Sequence, residues 1–420
     1  MAEPLKAVAE ALDDLNGKPR GDKYSLPYIT LTRNVSVKGT DYKEEKRQRN
    51  IYRRKTMMGT IFASIVCILL GMFFGFMLML IQPQDFTQGF VSFFSYAFTP
   101  TSLTHILYTA GPLLFTSLAV GFCYKCGMFN IGASGQFTFG GIAALIFALH
   151  YHLPWYVTIL IAMLVGAFVG ALPGLFKAFF NVNEVISAIM LNWITLYLCN
   201  LCVYNVPDMY NSMRAKTNDI TVVAIDHPDV RLPIFDSTGD INLGLFLGIG
   251  IAIILAIILY KTTFGYRLRA VGFNRDAARF AGINDKLFLV LSFAISGALA
   301  GIGGACYYLV GGISYTPQGA AVASQGFDAI PIALLANSNP IGIIFSTLFI
   351  SFLKIAGNGL QGVGTYDSEF VNVMIGIILY GSSFAFLFSR LVLRERKKKK
   401  DAVKKTPSAP LPQEPVKEAK

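Results

Sequence analysis

The sequence describes an all-α polytopic membrane protein of about ten transmembrane helices, and three observations carry that reading. Only 15% of its 420 residues are charged while 54% are apolar; an ordinary soluble protein carries about 25% charged residues. The charges are crowded: residues 1–56 hold 21 and residues 390–420 hold 15, leaving 25 for the 333 between them. Along those 333 residues, uncharged apolar runs recur at lengths that suit a bilayer. A water-soluble globule of this size cannot cover its surface with so few charges. Soluble enzymes and nucleic-acid binders are therefore excluded, despite a net charge of +11.

The first run, 57–80, is 24 uncharged residues, and a helix needs about 20 to cross a bilayer core. Further runs occupy 104–122, 136–149, 154–176, 185–204, 241–260, 287–311, 341–356 and 370–389. The segment 327–338 is too brief to span as a straight helix and reads as short or broken. The runs are continuous rather than alternating, and only helices satisfy their own backbone in lipid, so strands are set aside. Small residues spaced four apart, as at Gly166, Gly170 and Gly174 or at Gly297 and Gly301, let such helices approach closely.

Basic residues fix the orientation. With the N-terminal tail inside and 327–338 counted as a crossing, 32 of the 36 Lys and Arg fall on the cytoplasmic side and three outside, with Lys354 undecided. Both termini are then cytoplasmic. The chain divides into a basic, partly disordered tail at 1–56, a transmembrane domain at 57–390 and a basic disordered tail at 391–420. Within the domain, 206–240 is an external loop and 261–286 a cytoplasmic one. The polar first 56 residues lack the apolar core of a signal peptide, so the first internal span drives insertion. The run Lys397–Lys400 suits an anionic leaflet rather than nucleic acid.

Several constellations suggest chemistry. Residues 127–141 combine the polar Asn130, Ser134 and Gln136 with Gly127, Gly132, Gly135, Gly140 and Gly141 at a membrane entry. Irregular polar backbone there marks either a transport path or a cytoplasmic turn. Glu184 opens the next span and favours the positive end of its dipole, with Asn192 two turns on, on nearly the same face. Asp328 opens a second broken segment, 324–340, and an ionisable group in the bilayer is a functional candidate. Lys354 and Glu369 are near span ends and long enough to snorkel. In 261–286, Asn274 can cap a short helix with Asp276 in its first turn and Gly282 at its end. Its small apolar surface, flanked by Arg275 and Arg279, suits docking into a partner's groove.

Other readings fail on the residues. Gly132-Ala133-Ser134-Gly135 has the form used by intramembrane serine proteases, but His150, His152 and His227 all fall in external loops. No G-x-x-x-x-G-K-[ST] loop occurs, so the chain cradles no nucleotide phosphates. The pairs Cys123/Cys126 and Cys199/Cys202 lie in or at the ends of apolar spans, where free Cys packs as a small hydrophobe. No metal or cofactor is expected in this chain.

Taken in order, Phe129-Asn130-Ile131-Gly132 with Gly135-Gln136, Leu172-Pro173-Gly174 with Lys177-Ala178, Glu184-Val185-Ile186 with Ile189-Met190-Leu191-Asn192, and the run 264–283 resemble the permease subunits of bacterial ABC importers for nucleosides and simple sugars. That group is related to the branched-chain amino acid and ribose permeases, and the resemblance covers about 57–390. It implies a type II importer fold in a bacterial plasma membrane. It also implies two ATPase subunits carrying ATP and Mg, a paired permease that is often a second and different chain, and an external substrate-binding lipoprotein. From their polar or helix-breaking chemistry at membrane positions, Asn130, Gly132, Gly135, Gln136, Glu184, Asn192 and Asp328 are expected to line the substrate pathway. By the resemblance Arg275, Ala277, Ala278, Arg279, Phe280, Ala281 and Gly282 couple to an ATPase. The expected solute is a nucleoside; the alternatives are a ribose- or galactose-like sugar and, in a different class, a stand-alone secondary transporter.

Overall fold

A computed structural model describes residues 86–236, 241–317 and 321–362, with shorter stretches inside 65–80 and 371–380. Both tails, and most of the runs at 57–80 and 370–389, lie outside the described residues. What is described is helical apart from one two-residue ribbon. The helices are α1 (Ile68–Met77), α2 (Phe86–Ala97), α3 (Pro100–Lys125), α4 (Ala133–Leu149), α5 (Trp155–Phe180) and α6 (Glu184–Asn205). After the ribbon β1 (Tyr210–Asn211) and β2 (Lys216–Thr217) come α7 (Ile220–Val223), α8 (Leu243–Lys261), α9 (Thr263–Phe273), α10 (Arg275–Phe280) and α11 (Asp285–Tyr308). The last are α12 (Ser324–Leu335) and α13 (Pro340–Gly362). Among the described residues six are long and apolar enough to cross a membrane: α3, α5, α6, α8, α11 and α13.

Local chemistry sets the ends. Helix α3 starts four residues before the apolar run because Thr99 caps it, accepting from Ser102 N, with Pro100 in the first turn. The left-handed Asn181 closes α5, and Asn183 opens α6 by accepting from Val185 N and Ile186 N. Three helices were not apparent from the sequence, one of them the four-residue α7 within 206–240. Helix α2 occupies part of the stretch between the apolar runs at 57–80 and 104–122, because Phe93 and Ala97 are buried and Phe93 meets Phe352 of α13 edge-on. Helix α9 fills the first part of the loop 261–286, capped by Thr262.

The core is α11 laid along α5, α4 and α3. Glycine makes this approach close. A Cβ at Gly170 would stand 2.5 Å from Phe293 O and 2.8 Å from Gly297 Cα, so α5 and α11 touch backbone to backbone. The apolar window of α3 is 83% buried, whereas that of α6 is 28% buried and turns Ile186, Trp193 and Tyr197 outward.

Candidate functional site

The polar break between α3 and α4 is the first part of the site. Helix α3 stops at Lys125, and Gly127 follows with φ +75°. A Cβ on Gly127 would stand 2.8 Å from Gly272 O of α9. The break is thus seated on α9, glycine against glycine. Beyond it, Asn130 and Gln136 form a reciprocal amide pair: Asn130 Nδ2 donates to Gln136 Oε1 at 2.8 Å, and Gln136 Nε2 donates to Asn130 Oδ1 at 3.3 Å. Asn130 also donates to Ser296 Oγ at 2.8 Å, and Ser296 donates to Ala119 O at 2.7 Å. All three side chains are buried, which is tolerable only because they are paired.

Asn192 joins the same cluster from α6. Its Oδ1 accepts from Gly135 N at 2.9 Å, and its Nδ2 donates to Ile131 O at 3.1 Å. Gly135 allows this, since a Cβ there would stand 2.8 Å from Asn192 Oδ1. At Gly132 a Cβ would press on both amides of the pair, 3.1 Å from each. Asn130, Gly132, Gly135, Gln136 and Asn192 therefore stand together and fix the break onto α6 and α11. Glu184 stands apart. It pairs with Lys177 at 3.0 Å, and the cap of α6 is Asn183 rather than Glu184.

The second broken segment meets the first. Gly326, in the first turn of α12, lies directly against Ser134 at the start of α4, leaving no room for a Cβ. Ser134 is buried, and its Oγ has no hydrogen-bond partner. Two residues further along α12, Asp328 pairs with Lys354 of α13 at 2.5 Å, the two side chains being 20% and 25% exposed. Lys354 therefore reaches a partner within the protein rather than snorkelling to an interface. The pair forms one wall of a cavity of about 200 Å³, together with Ser324 and Gln325.

Within the loop 261–286, α10 is held at both ends. Asn274 caps it by accepting from Ala277 N at 2.9 Å. At the other end Gly282, φ +78°, donates to Arg279 O and Ile283 donates to Ala278 O, each at 3.0 Å. Those two bonds are the paired closure of a left-handed helix terminus. Arg275 Nε and Arg279 Nη2 both reach Asp285 Oδ2, at 2.5 and 2.8 Å, so α10 is clamped to the foot of α11. Ala278 is buried, while Ala277, Ala281 and Phe280 face outward, Phe280 being 94% exposed. The two arginines thus bind within the chain, and the outward apolar surface is narrower than seven residues.

Sequence reasoning passed over three residues. Ser296 lies in an apolar run and is found only through its long-range partner. Gln325, which hydrogen-bonds Tyr307, sits beside a noted residue without a motif of its own. Lys125, whose Nζ donates to Asn337 O at 2.8 Å, had been counted only toward orientation.

A family model described as branched-chain amino acid transport system, permease component, matches residues 102–383. The nucleoside ABC transporter permease protein NupB of Lactococcus lactis subsp. cremoris is 32% identical, over 82% of this chain and 97% of its own. The guanosine ABC transporter permease protein NupP of Bacillus subtilis is 30% identical, over 80% and 96% respectively. A second nucleoside ABC transporter permease protein of the same Lactococcus, NupC, is 29% identical, over 64% and 87%.

Proposed function

The chain belongs to the family of branched-chain amino acid transport system permease components, and on that ground we propose that it is the membrane-spanning subunit of an ATP-binding-cassette importer carrying nucleosides. The observation that carries the solute class is the likeness to NupB, which extends over 97% of that permease. The chain is a transport subunit, and ATP with Mg is bound and hydrolysed on two separate ATPase subunits. Helix α10 is the docking element. Its exposed Phe280, Ala277 and Ala281 offer a small apolar surface, and the Asp285 clamp makes it rigid. NupB and NupC of one organism both resemble this chain, which supports a pair of different permease chains.

In this reading the fold alternates between an outward and an inward opening in a bacterial plasma membrane, both termini lying in the cytoplasm. The loop 206–240, net charge −3, meets an external binding lipoprotein. Asn130, Gly132, Gly135, Gln136 and Asn192 fix the broken segment that borders the pathway. Glu184, paired with Lys177, stands apart from that segment, and Asp328 faces the solute.

The test is reconstitution of the complex purified through this chain from its native membrane. ATP-dependent uridine uptake into proteoliposomes, with an ATPase co-purifying, is the expected result. Uptake without ATP would establish a secondary transporter instead, and uptake of free ribose but no nucleoside would establish a sugar permease. If no ATPase accompanies the chain under mild solubilisation, the importer reading fails.

A further inference from the structure

The cavity beside Asp328 and Lys354 is lined by polar groups, among them the carboxylate, the ammonium, Ser324 and Gln325, and by apolar ones such as Pro112 and Leu113. Its volume of about 200 Å³ falls below the roughly 300 Å³ at which pockets for whole drug-sized ligands begin. It has room for a sugar ring rather than for a sugar with its base.

An ion pair three-quarters withdrawn from water is an expensive way to join two helices, because apolar side chains of similar volume do it as well or better. The pair's value therefore lies in the groups it presents. Lys354 engages Asp328 through Oδ2, and among the described residues Asp328 has no other hydrogen-bond partner, which leaves Oδ1 available as an acceptor. With Lys354 balancing Asp328, the site has no net charge and suits an uncharged solute with hydroxyl donors. A zwitterionic amino acid would have to split the pair before either of its ends found a partner.

We infer that Asp328, held by Lys354, accepts hydrogen bonds from the vicinal hydroxyls of the solute's ribose, so that the permease itself selects for an intact diol. The inference rests on the nucleoside reading and adds the atoms that would be recognised. A lost hydrogen bond to a charged acceptor lowers affinity roughly ten- to hundredfold.

The experiment compares uridine with 2′,3′-dideoxyuridine in ATP-dependent uptake by the reconstituted complex, as ratios of kcat/KM. The wild-type complex is expected to favour uridine at least about tenfold. In Asp328→Asn, and in the neutral double variant Asp328→Asn/Lys354→Met, the ratio is expected to fall to about threefold or less. The double variant guards against loss of fold from a lone buried ammonium. Where uptake is too weak, competition between the two nucleosides for binding to the solubilised complex reads the same ratio. A ratio that survives in both variants would overturn the inference and leave only a structural tie. A wild-type ratio near one, or leucine displacing uridine from the wild-type complex, would overturn it equally. Absence of wild-type uridine uptake would instead bring down the functional reading beneath it.

Discussion

Replacing Gly170 by Ala is the sharpest probe of how this core is built. The new Cβ would stand 2.5 Å from Phe293 O, 2.8 Å from Gly297 Cα and 3.1 Å from Gly297 N. All three are backbone atoms, so no side chain can swing aside. Ordinary contact begins near 3.4 Å, leaving α5 and α11 about 0.9 Å too close at the carbonyl. Overpacking of this kind costs about 1–3 kcal/mol. Gly250→Ala is the internal standard, because a Cβ there meets nothing within 4 Å. Both substitutions gain the same intrinsic helix propensity, roughly 0.5–1 kcal/mol, so the difference between them isolates the contact. Unfolding of the two variants by SDS titration in mixed micelles, followed by circular dichroism, should differ roughly five- to 150-fold in equilibrium constant. If the two variants unfold together, within about 0.5 kcal/mol, the close glycine seam is not what holds α5 to α11.

Three further outcomes follow from the same geometry. Asn130→Ala leaves Gln136 and Ser296 short of a buried partner and should destabilise by about 1–3 kcal/mol; in the same unfolding assay Asn130→Ala/Gln136→Leu should cost less than the two single changes added together. Phe280→Asp places a charge on the exposed tip of α10 and should abolish ATPase co-purification while thermal unfolding of the permease stays within about 0.5 kcal/mol of wild type. Gly272→Ala sets a Cβ 2.5 Å from Lys125 O and 2.7 Å from Gly127 N; it should lower uridine transported per ATP hydrolysed by an order of magnitude or so, measured as paired uptake and ATPase rates.

What the sequence made legible is what is encoded locally. Asn274, Asp276 and Gly282 announce α10 because capping is settled within a few residues. The glycines and amides of 127–141 announce a break for the same reason. Helix α2 was hidden, since Phe86–Ala97 is too short to read as a span and its burial depends on α13, far along the chain. The role of Asn130 was hidden too. The sequence marks it as polar in an apolar setting, but its partner Ser296 lies 166 residues away. Asp328 and Lys354 were each noticed singly, and neither spacing nor periodicity says that they meet.

The Asp285 clamp has a mechanical consequence. Helix α11 contains no proline across its 24 residues, which make a rod of about 36 Å. One end is fastened to α10 by two guanidinium groups, and Tyr307 at the other end lines the cavity that holds Asp328. A tilt of about 5° applied at Asp285 carries the far end roughly 3 Å if the rod stays straight. Between the Asp285 clamp and Tyr307 the chain is one unbroken helix, so a push on Phe280 reaches the cavity without crossing a loop.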